Sequence, residues 1–154
     1  MMNTLYPLFS FGTLRDLDVL AIVTDQPTGL HLKPAYVRDR ALHQVEGEDF
    51  PVMVTSKGGR VDGVLIEGLT DKAFDRVVFF EGEEYVLDIV DVSIDDGSQV
   101  RAHYFKEASV YTIRATGWEY QQWNSHEKAE FLDRTARYMK WYGMVSVSEA
   151  DQYW

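Results

Sequence analysis

Cysteine is missing from the chain altogether, which excludes a disulfide framework, a thiolate metal site and a cysteine nucleophile, and suits a reducing compartment. Long apolar runs are missing too. Hydrophobic residues make up 45% of the sequence, but they are dispersed in stretches well short of the ~20 needed to cross a bilayer. The opening Met1-Met2-Asn3-Thr4 lacks the basic and apolar regions of a signal peptide. The expectation is a cytoplasmic protein with no membrane partner. Positive charge is scarce, with 15 Lys and Arg against 25 Asp and Glu and a formal net charge of -10. Nucleic acid and anionic membranes are bound chiefly through Lys and Arg, so no nucleic-acid partner is expected. The acids are spread along the chain and serve solubility. His31, His43, His103 and His126 never pair at i+4, so no metal site is signalled. A P-loop, a Gly-x-Gly-x-x-Gly and a nucleophile elbow are also absent, as are internal repeats and linkers.

What is present fits one α+β domain spanning residues 1–154, with 144–154 as a C-terminal tail. Its 4 Trp, 9 Tyr and 8 Phe can build a core or a deep cavity with polar tips. Residues 6–11 are apolar and aromatic and run into Gly12-Thr13, after which Leu14, Leu17, Leu20 and Ala21 recur at helical spacing. This reads as strand, tight turn and short helix, capped by Thr13 or Asp16. Such a turn presents backbone N–H groups that can hold a carboxylate or an oxyanion, or it is simply an ordinary connection. Residues 50–55 and 61–69 flank Ser56-Lys57-Gly58-Gly59-Arg60 and predict a hairpin with a Gly-Gly turn. Gly63 and Gly68 are expected at bends. A second hairpin is predicted from residues 85–94 and 99–105 around Asp95-Asp96-Gly97-Ser98, and residues 111–117 are a connection. Asn124 and Glu127 resemble a capping box, followed by the longest helix, with Phe131, Leu132, Thr135, Tyr138, Met139 and Tyr142 on one face. The aromatic end at Tyr153-Trp154 is expected to pack, as a lid on a pocket, on the barrel or on a second subunit.

One acid stands out. Thr70 or Asp71 caps a helix in which Phe74, Val77, Val78 and Glu81 fall at i, i+3, i+4 and i+7, so Glu81 continues the apolar stripe. A carboxylate on a buried face must be hydrogen-bonded, protonated or useful. Desolvation beside Phe79 and Phe80 would raise its pKa and make it a proton shuttle near neutral pH. Alternatively, Gly82 ends the helix and fraying leaves Glu81 wet.

Leu8-Phe9-Ser10-Phe11-Gly12-Thr13-Leu14-Arg15 and Phe79-Phe80-Glu81-Gly82-Glu83-Glu84-Tyr85, in this order and at this separation, resemble the two signatures of the γ-glutamylcyclotransferase-like family. That family includes the plant avirulence-induced proteins and the γ-glutamylamine cyclotransferases. Val61-Asp62-Gly63-Val64-Leu65 and the Trp-rich C-terminal part extend the resemblance over nearly the whole chain. It implies a small mixed β-barrel with a few flanking α-helices. It also implies a γ-glutamyl substrate cyclised to 5-oxoproline with release of an amine, without cofactor or metal. The Glu before Gly, here Glu81, would be the catalytic acid/base. Backbone amides of Gly12, Thr13 and Leu14 would hold the substrate, with Phe11 and Arg15 lining the site. Two departures bear on the substrate: Phe11 stands where the family usually has Tyr, and Leu87 where many relatives have Arg. Tyr104 is a further candidate for a hydroxyl near the substrate, or else a buried structural tyrosine. Glu83 and Glu84 read as solvated turn acids, either of which could bind a substrate ammonium. A homodimer is compatible with the sequence. The competing functional reading is a non-catalytic module that binds a small amine-bearing metabolite on the same fold, and the fold could also host another reaction.

Overall fold

The computed structural model describes residues 6–45, 51–82, 85–107, 113–117, 123, 128–151 and 154. Three residues, Leu8–Ser10, form β1, and they sit at the centre of the architecture. β1 pairs antiparallel with β3 (Pro51–Glu67), with Phe9 opposite Leu65, and parallel with β5 (Gln99–Glu107), with Leu8 opposite His103. β5 pairs with β4 (Tyr85–Ile94) along its whole length, β4 touches β2 (His31–Val45) at Ala35 and Tyr36, and β2 returns to β3. The ring β3-β1-β5-β4-β2 therefore closes into a five-stranded mixed barrel, which removes the open edges of a flat sheet.

A sixth strand, β6 (Ile113–Gly117), adds to β2 with His43 opposite Gly117. Residues 111–117 read as a connection in the sequence, because five residues holding Arg, Thr and Gly carry little strand signal; the partner strand supplies the pairing. The predicted Gly-Gly hairpin is likewise corrected. Residues on both sides of Gly58-Gly59 pair with the same strand, β2, so 51–67 is one strand and residues 56–59 form a bulge opposite Asp39. Asp39 adopts φ 59° and its Oδ1 accepts from the Gly58 N–H at 2.9 Å, taking over the backbone group the bulge leaves unpaired. The second hairpin forms as expected, with Ser93 opposite Gln99.

Alternation along the strands divides two cores. The barrel interior holds Phe9, Phe11, Val37, Val61, Leu65, Val92 and Ala102. The outer layer packs Leu8, Ile66 and Phe105 against helices. These are α1 (Leu17–Thr24), α2 (Asp71–Glu81), α3 (Lys128–Met139) and the short α4 (Val147–Asp151). Gly63 lies beside the end of the β1–β3 pairing: a Cβ there would stand 2.4 Å from the Ser10 carbonyl and 2.8 Å from the Phe9 ring. α3 buries Phe131, Thr135, Tyr138 and Met139, the face expected from its period, while Asn124 and Glu127 lie outside the described residues. The tail is partly helical, and Trp154 packs on Phe80, Phe131 and Tyr138 with ring centroids 6.2, 5.3 and 5.6 Å away. Its contacts bind it to the helical layer.

Candidate functional site

The loop after β1 takes its shape from the turn and helix on its C-terminal side. Thr13–Arg15 make a 3-10 turn in which the Arg15 N–H donates to Gly12 O and the Asp16 N–H to Thr13 O. The leading N–H groups of such a turn have no acceptor within it. Asp16 then ends the turn and caps α1, its Oδ1 accepting from the N–H groups of Asp18 (3.0 Å) and Val19 (3.2 Å). Of the two expected caps, Asp16 does the capping, and Thr13 belongs to the turn. Asp16 is buried, and Lys128 at the start of α3 meets both its Oδ2 and that of Asp18 at 2.8 Å. That double ion pair fastens the loop to the helical layer and raises the Lys128 pKa through hydrogen bonds to Asp16 first and Asp18 second.

α2 delivers the acid. Thr70 Oγ1 accepts from the Ala73 N–H at 3.1 Å, and Ala73, Phe74, Val77 and Phe79 are buried. At the other end Gly82 takes φ 76° and its N–H donates to Val78 O at 3.3 Å, closing the helix with Glu81 as its last residue. The last turn is held from outside as well: the Tyr138 hydroxyl donates to Phe79 O at 3.0 Å, and the Phe79 ring packs on Tyr138 and Tyr142. At the near end of the same layer, Arg76 Nε donates to Val23 O at 2.7 Å and Nη2 to Ile22 O at 3.1 Å, fixing α2 against the C-terminus of α1.

Loop and acid meet at one cleft lined by Leu8, Phe9, Ser10, Phe11, Gly12, Thr13, Leu14, Glu81, Tyr85 and Phe105. Glu81 as a residue is partly exposed, while burial of its carboxyl raises its pKa from the ordinary 4.5 to about 8. Near neutral pH the group is then mostly protonated yet readily ionised, which is the condition for accepting and returning a proton. Ser10, Thr13 and Glu81 are the residues of the lining with polar side chains besides Tyr85; the others are glycine, aromatic and aliphatic. Among the described residues no three His, Asp or Glu side chains converge as metal ligands.

Of the residues singled out in the sequence, Phe11, Gly12, Thr13, Leu14 and Glu81 come together around the cleft. Arg15 and Tyr104 stand outside its lining; Tyr104 packs on the barrel-interior cluster. Glu83 and Glu84 lie outside the described residues. The lining also contains Leu8, Phe9, Ser10 and Tyr85, which belong to the two motifs but have no role assigned to them there, and Phe105, which belongs to neither. Tyr85 ends the second motif and could have been included. Phe105 arrives only through the β4–β5 register, which sets it opposite Leu87.

Comparison with known proteins gives a concordant picture. The profile of the family described as "Gamma-glutamyl cyclotransferase, AIG2-like" matches residues 8–147. AIG2-like protein C of Arabidopsis thaliana is 24% identical over 138 residues, covering 88% of this chain and 78% of that protein. Protein AIG2 C of the same plant is 22% identical, covering 87% and 81%. Among solved structures, an Arabidopsis thaliana protein determined in solution superimposes with a TM-score of 0.63 at 20% identity, covering 94% of this chain and 98% of its own. A structure titled "Gamma-glutamyl cyclotransferase" superimposes with a TM-score of 0.57 at 13% identity, covering 84% and 85%. At these identities the structural likeness speaks for the fold alone.

Proposed function

The chain belongs to the gamma-glutamyl cyclotransferase, AIG2-like family, and from that premise we propose that it cyclises a γ-glutamyl amine or amino acid to 5-oxoproline. The observation that carries the reading is the desolvated Glu81 carboxyl in a cleft that Gly12, Thr13 and Leu14 also line.

In this reaction the substrate's free α-amine attacks its own γ-carbonyl carbon. A C–N bond forms and closes a five-membered lactam, and the original amide C–N bond breaks to release the amine. Glu81 as carboxylate takes the proton from the attacking nitrogen and returns it to the leaving nitrogen, so no water or cofactor is consumed. The N–H groups of the loop offer hydrogen bonds to the oxyanion of the tetrahedral intermediate or to the substrate's α-carboxylate. Nucleophile and electrophile are in one molecule, and the protein's main task is to hold a bent conformer, for which a snug aromatic wall is suited. Phe11, Thr13 and Leu14 line the γ-glutamyl end, while Arg15 and Tyr104 stand outside the lining.

Incubation with a panel of γ-glutamyl compounds, with 5-oxoproline and free amine quantified together, tests the reading. Stoichiometric release of both is expected. Absence of 5-oxoproline across the panel, with γ-glutamyl compounds still bound, would favour a binding module on the same fold instead.

A further inference from the structure

Five large apolar side chains are exposed among the described residues: Leu17, Val86, Leu87, Ile89 and Met144. Three of them are consecutive or nearly so on β4, directly after Tyr85, which lines the cleft. Side chains alternate along a strand, so Tyr85, Leu87 and Ile89 share one face, spaced at ~7 Å steps. Across the ladder on that face Leu87 stands opposite Phe105, another cleft residue, and Ile89 opposite His103. Leu87 is thus flanked by the cleft in two directions, along its own strand and across to the next. His103 does not interrupt the apolar character, since its ring packs between Tyr6 and Phe74 at 5.4 and 5.8 Å. The strip stops at the following pair on the same face, where Asp91 meets Arg101 at 3.4 Å.

An exposed apolar strip that runs continuously out of a substrate cleft has no folding reason to be there, because each of these side chains loses hydrophobic stabilisation by staying in water. A leaving group emerging from the cleft along β4 meets Leu87 and then Ile89. A charged group seated against Leu87 and Ile89 would give up water to side chains that offer it no hydrogen bond. We propose that the amine expelled from the γ-glutamyl substrate carries a large aliphatic or aromatic side group, seated on Leu87 and Ile89. This specificity rests on the cyclotransferase reading of the same cleft. Leu87 and Ile89 select the substrate and take no part in proton transfer.

The test compares γ-glutamylleucine and γ-glutamylphenylalanine with γ-glutamylglycine and γ-glutamyllysine, following 5-oxoproline, alongside methyl-labelled protein observed by NMR. The expected kcat/KM for the apolar pair exceeds that for γ-glutamylglycine by roughly tenfold or more, the scale set by a partly exposed apolar contact. Leu87→Lys should collapse that ratio toward one and Leu87→Met should keep it. Equal turnover of all four compounds, or a preference for γ-glutamyllysine, overturns the proposal. Titration with γ-glutamylleucine should shift the Leu87 and Ile89 methyl signals and leave those of Leu17 and Met144 in place. Unmoved Leu87 and Ile89 signals overturn it, as does a shift driven by protein concentration alone, which would put a second copy of the chain on the strip. If none of the compounds yields 5-oxoproline, the cyclotransferase reading falls, and the methyl signals still decide whether the strip receives an apolar group.

Discussion

A carboxyl at the end of a helix is ordinarily wet and acidic, and at Glu81 the surroundings remove the water. Burial shifts its pKa from 4.5 to about 8, so the folded chain holds this proton more tightly than the unfolded chain does. The contribution to stability is therefore fully present below about pH 4.5, declines as pH rises and is lost above about 8. Its full span is on the order of a few kcal/mol. Glu81→Gln removes the titration, so the variant should gain on the wild type in urea midpoint as pH rises across that window. Parallel midpoints at every pH would mean that the carboxyl is wet. The spacing to Phe74 and Val77 left Glu81 either facing inward or wet at a helix end set by Gly82; the helix does end at Gly82, and Glu81, partly exposed, lines the cleft. The company it keeps was less legible: Phe105 reaches the cleft through a strand register that no local pattern encodes.

At the scale of elements, three fixtures set the loop and the helix against each other. β1 can lie this close to β3 only because Gly63 has no side chain, and Gly63→Ala should destabilise the fold by about 1 to 3 kcal/mol through overpacking against Ser10 and Phe9; a urea midpoint unchanged from wild type would show that the neighbours give way at no cost. The Asp16–Lys128–Asp18 group is the second fixture. Lys128→Met leaves the buried Asp16 carboxylate without its cation, and a melting temperature lower by several degrees is expected. Adding Asp16→Asn, which keeps a capping side chain, should recover most of the loss. Equal loss in single and double variants would point to tethering rather than charge. Arg76, bonding the last carbonyls of α1, is the third. Elements with local causes were readable: the caps, each narrowed to two neighbours of which Thr70 and Asp16 do the capping, the turn at Asp95-Asp96-Gly97-Ser98, the apolar face of α3. The Gly58-Gly59 pair misled because its chemistry suits a turn equally well, and the choice of a bulge is made by Asp39, far away in sequence and opposite in space.

At the scale of the whole molecule, a closed barrel and a helical layer share the cleft between them, so stability and function depend on how the layer is seated. Trp154 packs on α2 and α3, with Arg134 stacked over its ring at 4.6 Å. Trp154→Ala should cost on the order of 2 kcal/mol, less than a fully buried Trp because its ring keeps some exposure. Unchanged thermal unfolding would show that the tail contributes nothing to the layer. The mixed barrel was legible through the family resemblance that the two motifs carry, whereas β6 and the seating of Trp154 depend on partners that only the assembled fold provides. The central claim concerns the proton that Glu81 carries, and the pH profile of kcat/KM for 5-oxoproline release addresses it directly. Wild type should show an ascending limb with its midpoint near 8, as the carboxylate forms. Glu81→Gln should fall ~100-fold or more on the alkaline side of the limb, lose the limb, and differ less and less from wild type as pH falls below 8. A wild-type profile flat across this range, or one that Glu81→Gln reproduces at full rate, would contradict it.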